Sequence, residues 1–185
     1  RPSCPSCSEC RSLRLNLHHF TPSRSQRRAL ARNRDIEVAI DVASVTPDHV
    51  RLYNAYHADM HRQKNWAPQS HTLQTYYQNF VLGDWSFARE LRYYDQGKLV
   101  GVALADVTPE ALTCIYFYHD PSWRPQSPGV FSVMQQIAYA QELGLTYVYL
   151  GYWVSGSRSM AYKAQYQPHE LLVGYPDDAE EPIWR

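Results

Sequence analysis

The sequence contains no run of about 18 apolar residues, the length a membrane-crossing helix needs. Its first residues carry no apolar stretch of the kind that heads a secretory leader. Both absences lead us to expect a cytoplasmic protein, where cysteines serve as metal ligands or reactive thiols more readily than as disulfides. The chain opens on Arg1-Pro2-Ser3-Cys4 and not on Met, and a segment upstream is expected. There is no internal repeat, and no Cys/His or Ser/His pair in a recognisable nucleophile motif. Excess charge is lacking too: 18 basic and 18 acidic residues cancel, so bulk charge argues neither for nor against nucleic acid. Acids are missing from one place in particular. None falls between Arg11 and Arg34, whereas Asp177 to Glu181 is acidic. A neutral chain with a basic front can still grip a phosphate backbone locally.

What is present suits one folded domain. The chain has 185 residues, 44% of them hydrophobic, enough for a single core with a small appendage. Tyrosine is abundant (15), and its flat ring with a polar tip suits packing and interfaces.

Periodicity places the elements. Leu13, Leu15 and Leu17 alternate with polar neighbours, a strand signal. Ser23 or Ser25 caps a helix that runs to Asn33. Residues 36–40 alternate again. Thr46-Pro47-Asp48 starts a helix with Pro at its first position, carrying Val50, Leu52, Tyr53, Tyr56 and Met60 on one face. Residues 61–71 read as a loop and 73–82 as a second helix. Strands are expected at 87–94, 99–105 and 112–118, the first two joined by the Asp95-Gln96-Gly97-Lys98 turn, in an antiparallel meander. A Pro-rich loop, 119–128, leads to a long helix from Gly129 to Leu143, ended by Gly144. A strand at 146–150, a short helix within 155–166 and a last strand at 171–173 complete the chain.

This order predicts an α+β fold, a GNAT-like acyltransferase mixed sheet with helices on both faces. Three regions are expected: an N-terminal Cys-rich and basic segment over 1–44, the acyltransferase-like domain over 45–176, and an acidic tail over 177–185. In that fold an acyl-CoA donor sits at the N-terminus of the long helix, where a Gly-rich loop aims amides at the pyrophosphate. Here that loop reads Gln126-Ser127-Pro128-Gly129-Val130-Phe131. The first Gly is present, but a bulky Phe stands at the last position and Pro128 removes an amide donor. CoA is disfavoured, and a different activated acyl donor at the same helix end is not.

Several strings are distinctive. They are Arg1-Pro-Ser-Cys-Pro-Ser-Cys-Ser-Glu-Cys10, Phe20-Thr-Pro-Ser-Arg-Ser-Gln-Arg-Arg28, Phe117-Tyr-His-Asp-Pro121, Tyr149-Leu-Gly-Tyr-Trp153, Met160-Ala-Tyr-Lys163 and Pro168-His-Glu170. In this order and spacing they resemble the N-end-rule aminoacyl-tRNA–protein transferases, the bacterial leucyltransferases and the related eukaryotic arginyltransferases. The likeness covers nearly the whole chain. It implies transfer of an aminoacyl group from tRNA to the N-terminus of proteins that begin with Asp or Glu. The compact length resembles the bacterial branch and implies leucine, with arginine the alternative. The implied partners are aminoacyl-tRNA and those acceptor proteins, with no DNA and no membrane.

The residues themselves suggest roles. Cys4, Cys7 and Cys10 form Cys-x2-Cys-x2-Cys. Three thiolates can converge on zinc or an iron–sulfur cluster, with a fourth ligand from His18, His19 or upstream chain; the other reading is unligated thiols on a structural knuckle. Cys114, in a core strand, reads as packing. Arg24, Arg27 and Arg28 share a helix face and are candidates for tRNA phosphates, the alternative being a solvated face. Tyr152 and Trp153 are candidates for stacking on the unpaired acceptor end, or are strand-end packing.

The reaction is aminolysis of an ester by an α-amine whose pKa is about 7.7–8.0, so a weak base suffices and the chemistry requires no cofactor. Asp120 is the candidate base or amine anchor, with His119 its alternative; both also read as a turn before Pro121. Tyr149 and Tyr162 are candidate donors to the oxyanion or leaving oxygen, or packing. Lys163 and Arg158 are candidates to hold an acidic acceptor side chain, or are surface cations. Two rivals are a CoA-dependent N-acetyltransferase and a non-catalytic tRNA- or metal-binding module.

Overall fold

The computed structural model describes residues 7–83, 85–157, 159–177 and 179–185. Strand β1 (Arg11–Asn16) is followed by α1 (Arg24–Arg32), β2 (Glu37–Val42), α2 (Pro47–Lys64) and α3 (Leu73–Phe80). Then come β3 (Ala88–Asp95), β4 (Lys98–Val107), β5 (Ala111–His119), α4 (Pro128–Glu142), β6 (Tyr147–Trp153) and β7 (Glu170–Leu171). Helix starts follow local chemistry. Ser23 caps α1 in a reciprocal box with Gln26, and Thr46 caps α2 with Pro47 behind it. Gln96 and Gly97 both take positive φ in the β3–β4 turn, the hand that a two-residue hairpin needs. No described helix is long and apolar enough to cross a membrane.

Two expectations shift. Helix α2 continues through Lys64 and ends at Asn65 in the left-handed region, so the loop starts later than the polar composition implied. The Pro-rich stretch contains a 3-10 helix, Pro121–Gln126, because Pro121 supplies the φ of a first helical position and Asp120 caps it. A second 3-10 helix, Ala161–Gln165, follows β6.

The seven strands form one mixed sheet in the order β2-β3-β4-β5-β6-β1-β7. Strands β5 and β6 run parallel, joined through α4; the other neighbours are antiparallel. One core lies between the sheet and α4, holding Leu13, Leu15, Phe131, Ile137, Val148 and Leu150. The other lies under α2 and α3 and holds Leu52, Tyr53, Tyr76, Val102 and Tyr118. The abundant tyrosines are used there: Tyr76 and Tyr118 share a hydroxyl–hydroxyl bond of 2.6 Å, and His57 Nε2 meets Tyr116 Oη at 2.7 Å. Buried Glu90 beneath them takes the Ser44 amide (3.2 Å) and hydroxyl (2.8 Å).

Residues on both sides of the 44/45 boundary share the seven-stranded sheet. Strand β1 is an internal strand between β6 and β7, and α1 packs beside α4. Asn33, just past α1, donates to the Gln126 carbonyl (2.8 Å) and accepts from Trp123 Nε1 (2.7 Å). At the C-terminal end Trp184 bridges Leu172, and the Val173 amide bonds the Ile183 carbonyl at 2.8 Å. Sheet pairing between residues this distant in sequence is invisible to local composition.

The sheet opens at its parallel pair. Pairing of β5 with β6 runs only from Ala111↔Tyr147 to Thr113↔Tyr149. Each strand has an irregularity just beyond. On β5, Leu104 faces Tyr116 and Ala105 faces Cys114, leaving Ile115 as the extra residue. That residue flips the alternation, so Phe117 joins the α4-side core while Tyr116 and Tyr118 join the α2 side. On β6, Leu150 is skipped and Gly151 takes φ +77°. A Cβ there would be strained by the backbone and would sit 3.5 Å from Lys163 Nζ. Gly151→Ala is expected to cost about 1–2 kcal/mol and lower the melting temperature by about 2–8 °C. A thermal melt checks it; an unchanged midpoint would mean that β6 does not need this kink.

Candidate functional site

A cleft of about 350 Å³ lies on the α4 side of the sheet. Ser25 and Gln26 of α1 form one wall, Ser127 to Val130 at the start of α4 another. His119 and Arg124 reach it from the end of β5 and the 3-10 helix after it. Tyr162, Gln165 and Tyr166 close it from the second 3-10 helix. Among the described residues no carboxylate lines it.

His119 is only 8% exposed. Its Nδ1 lies 2.8 Å from the Asp120 carbonyl, which can only accept, so Nδ1 carries the proton and Nε2 keeps a lone pair. Burial pushes its pKa below the ordinary histidine value. Arg124 nearby pushes the same way, and the bond to the Asp120 carbonyl opposes them. The ring is held by Phe117, stacked at 5.6 Å, and by Tyr56, edge-on at 5.2 Å. Because of the Ile115 bulge it is His119, and not Tyr118, that faces the cleft.

Asp120 is placed differently from the expectation of a base. Its Oδ1 accepts from the Ser122 amide (2.9 Å) and hydroxyl (2.7 Å), and its Oδ2 accepts from Lys98 at 2.7 Å. Burial alone would raise its pKa, but these partners hold it at about 2. A carboxylate this acidic and this engaged is a weak proton acceptor. It caps the 3-10 helix and fixes the His119 tautomer through its backbone.

Tyr149 also stands apart. It lies on the other face of β6 with Arg14 Nη1 (3.4 Å) and Trp184 (5.6 Å between rings), outside the cleft. Tyr162 does line the cleft, 44% exposed, with burial raising its pKa. Half-buried Lys163 donates to the Tyr152 carbonyl at 2.7 Å, and among the described residues no carboxylate pairs with it. Burial lowers its pKa, with Cys114 acting in the opposite sense. The thiol of Cys114 is pushed up to about 12 by burial, an inert form consistent with packing. Arg158 lies outside the described residues.

The arginines of α1 form a face of their own. Gln26, Ala29 and Asn33 are buried, and at 100° per residue Arg24, Arg27 and Arg28 point the opposite way. All three are exposed, and none pairs with a described carboxylate; Arg27 folds back on the Pro22 carbonyl. Tyr152 is exposed, while Trp153 packs on the core with its Nε1 buried and unpartnered among the described residues. Of the two, Tyr152 has a face free for stacking.

Cys4 lies outside the described residues; Cys7 is exposed and Cys10 half-buried. His18 and His19 lie at the opposite end of β1 from Cys10. The six residues of β1 intervene, and a strand rising ~3.3 Å per residue sets the two ends about 20 Å apart. Among the described residues no three metal-ligating side chains gather.

Sequence reading missed two cleft residues. Arg124 projects into the cleft from a stretch read as loop, and Asp59 on α2 pins it through its carboxylate. Burial would raise the pKa of Asp59, but Arg124 and then Gln63 and Arg62 lower it. Tyr166 was hidden among fourteen other tyrosines. One objection to a nucleotide at the α4 end also changes: Phe131 points into the core, packing on Tyr93 and Trp123, and does not block the cleft. Pro128 still removes its amide.

A sheet splayed at its parallel pair, with a cleft at the start of the crossover helix, defines the GNAT-like acyltransferase class. Solved structures share the fold, FemX and L-PGS among them. FemX superposes with a TM-score of 0.55 at 9% identity, over 93% of this chain and 55% of that one. L-PGS from Bacillus licheniformis gives 0.53 at 12% identity, over 95% and 57%. Sequence relationships narrow the class. Residues 48–173 match the family described as arginine-tRNA-protein transferase, C terminus. An aspartate/glutamate leucyltransferase of Helicobacter hepaticus is 37% identical over 99% of this chain and 76% of its own length. Another, from Aeromonas salmonicida, is 38% identical over 94% and 71%. The chain belongs to the aminoacyl-tRNA–protein transferase family.

Proposed function

We propose that this protein transfers leucine from leucyl-tRNA to the α-amine of proteins that begin with Asp or Glu. The observation that carries this is the arginine face of α1 beside a cleft that holds a neutral histidine and, among the described residues, no carboxylate. The names of the curated relatives favour leucine over arginine. Arg24, Arg27 and Arg28 grip the tRNA backbone, Arg124 offers the cleft a cation, and Tyr152 stacks on an unpaired base of the acceptor end.

In the reaction the α-amine attacks the ester carbonyl, and a C–N bond forms as the C–O bond to ribose breaks. His119 Nε2 takes the proton shed by the amine and returns it to the leaving ribose oxygen. Tyr162 donates a hydrogen bond to that oxygen. Aminolysis is redox-neutral and calls on no cofactor; Cys4, Cys7 and Cys10 remain proposed as a metal or cluster site apart from this chemistry. Lys163 holds the acceptor's side-chain carboxylate. A half-buried ammonium with no carboxylate partner among the described residues carries a desolvation cost that an incoming anion offsets.

The test offers tRNA charged with radiolabelled leucine or arginine to peptides beginning with Asp, Glu or Ala. Label on the acidic peptides supports the reading. Acetyl-CoA consumption with indifference to tRNA would replace it with an N-acetyltransferase. Binding of tRNA without transfer would replace it with a binding module. Lys163→Met is expected to lower kcat/KM for Asp and Glu peptides about 30-fold more than for Ala, the factor for about 2 kcal/mol. An equal loss on both would remove Lys163 from acceptor recognition.

A further inference from the structure

Tyr166 is 2% exposed, and its ring belongs to the cleft wall beside Tyr162. Its hydroxyl is buried and has no hydrogen-bond partner among the described residues. Other buried tyrosines differ: Tyr76 and Tyr118 bond each other, Tyr93 bonds Ser132 Oγ at 3.0 Å, and Tyr53 donates to Gln69 Oε1 at 3.1 Å. A phenylalanine would fill the same space without an orphan donor. Leaving such a group unpaired costs stability, and native structures keep few of them.

Tyr166 also has an informative position: it lines the cleft together with Tyr162 and Gln165. The 3-10 helix that carries Tyr162 ends directly before Tyr166, and the Gln26 amide group ties it to α1 through the Gln165 carbonyl at 3.5 Å. This short segment thus brings two phenols to a cleft that His119 also lines.

We infer that Tyr166 is a catalytic hydrogen-bond donor, its unpaired hydroxyl serving the carbonyl oxygen of the aminoacyl ester. This rests on the aminoacyl-transfer reading above. When the amine adds, the carbonyl oxygen becomes an alkoxide and the Tyr166 hydroxyl donates to it without giving up its proton. As the C–O bond to ribose breaks, the electron pair returns and the carbonyl re-forms as an amide. Burial raises the phenol's pKa, which keeps the proton on Tyr166 throughout. Tyr162, the more exposed phenol, serves the leaving oxygen on the solvent side.

Tyr166→Phe removes only the hydroxyl. The variant is expected to melt at the same or a higher temperature, because an unpaired buried donor is gone. Its kcat for leucyl transfer is expected to fall about 10²- to 10³-fold, the usual loss for one oxyanion donor, with KM for leucyl-tRNA within about twofold. A variant with undiminished kcat would overturn the assignment and leave leucyl transfer standing. A lower melting temperature would also overturn it, since the hydroxyl would then have a structural partner. A wild-type protein inert toward every charged tRNA would sink the underlying reading, and this assignment with it.

Discussion

His119→Asn is expected to lower kcat for aminoacyl transfer by about 10²- to 10⁴-fold, with KM for charged tRNA nearly unchanged. Asn suits the test because its amide can still donate to the Asp120 carbonyl, the partner of Nδ1 in the native protein. What it lacks is the basic Nε2. The pH dependence sharpens the prediction. Burial first, and Arg124 after it, lower the pKa of His119 in the folded protein. The imidazole therefore stays neutral through pH 7, and kcat falls only as pH drops below the ordinary histidine value of about 6.5. The acceptor's α-amine, with pKa about 7.7–8.0, adds a second rise in kcat/KM toward pH 8. That rise belongs to the substrate and must survive in the variant. Loss of the acid limb with retention of the alkaline rise identifies His119 as the base. If both limbs persist at near-wild-type rates, proton removal is left to solvent, and His119 merely packs against Phe117 and Tyr56.

The legible parts of this fold were those decided by neighbours in sequence. Alternation at Leu13, Leu15 and Leu17 marks β1, Thr46-Pro47 marks the start of α2, and Gly97 marks the β3–β4 turn. Each follows from local sterics or burial on one face, so a short window suffices. The illegible parts are set by distant partners. Nothing within β1 says that its neighbours will be β6 and β7. The Ile115 bulge is equally silent: Thr113, Cys114, Ile115 and Tyr116 all suit a strand, and the extra residue exists only relative to Leu104 and Ala105. Yet that bulge decides which of two adjacent ring-bearing residues, Tyr118 or His119, faces the cleft. Asp120 illustrates the same limit. As a residue type before Pro121 it reads as base, amine anchor or turn, and nothing local shows that Lys98, 22 positions earlier, engages its carboxylate. Tyr149 was drawn toward the site by its string, but strand alternation put it on the far face with Arg14.

The insertion of β1 into the sheet has a functional consequence. Antiparallel pairing with β6 sends the chain from Asn16 around the Thr146 end of β6, where the Leu17 amide bonds the Thr146 carbonyl at 2.9 Å. Ser23 then starts α1 so that Ser25 and Gln26 become cleft wall. The basic segment is thus built into the cleft wall, and under the proposed function a tRNA held by α1 is delivered beside His119. Asn33 reinforces this by bonding both Gln126 and Trp123, so the exit of α1 is tied to the 3-10 helix that carries Arg124.

Replacing Arg24, Arg27 and Arg28 together by Gln tests that arrangement most strongly. All three sit on the exposed face of a helix, and Gln has nearly the helix propensity of Arg, so the fold should be retained. Each phosphate contact to a single-stranded end contributes about 0.7 to the slope of log affinity against log salt, so three contribute about 2. At 0.1 M salt the same relation gives about 100-fold weaker binding of charged tRNA. The prediction is therefore double: affinity falls by that factor, and the salt dependence becomes shallower by about 2. At saturating tRNA, kcat should stay within about twofold, because none of the three lines the cleft. Weaker binding with an unaltered salt slope would show that the substitutions disturbed α1 and its hold on the cleft wall. An unaltered affinity would leave the arginines as a solvated face and move the tRNA to a different surface. Paired with His119→Asn, this variant separates the surface that delivers the donor from the group that uses it. The one should change KM for tRNA and its salt dependence, the other kcat and its pH dependence.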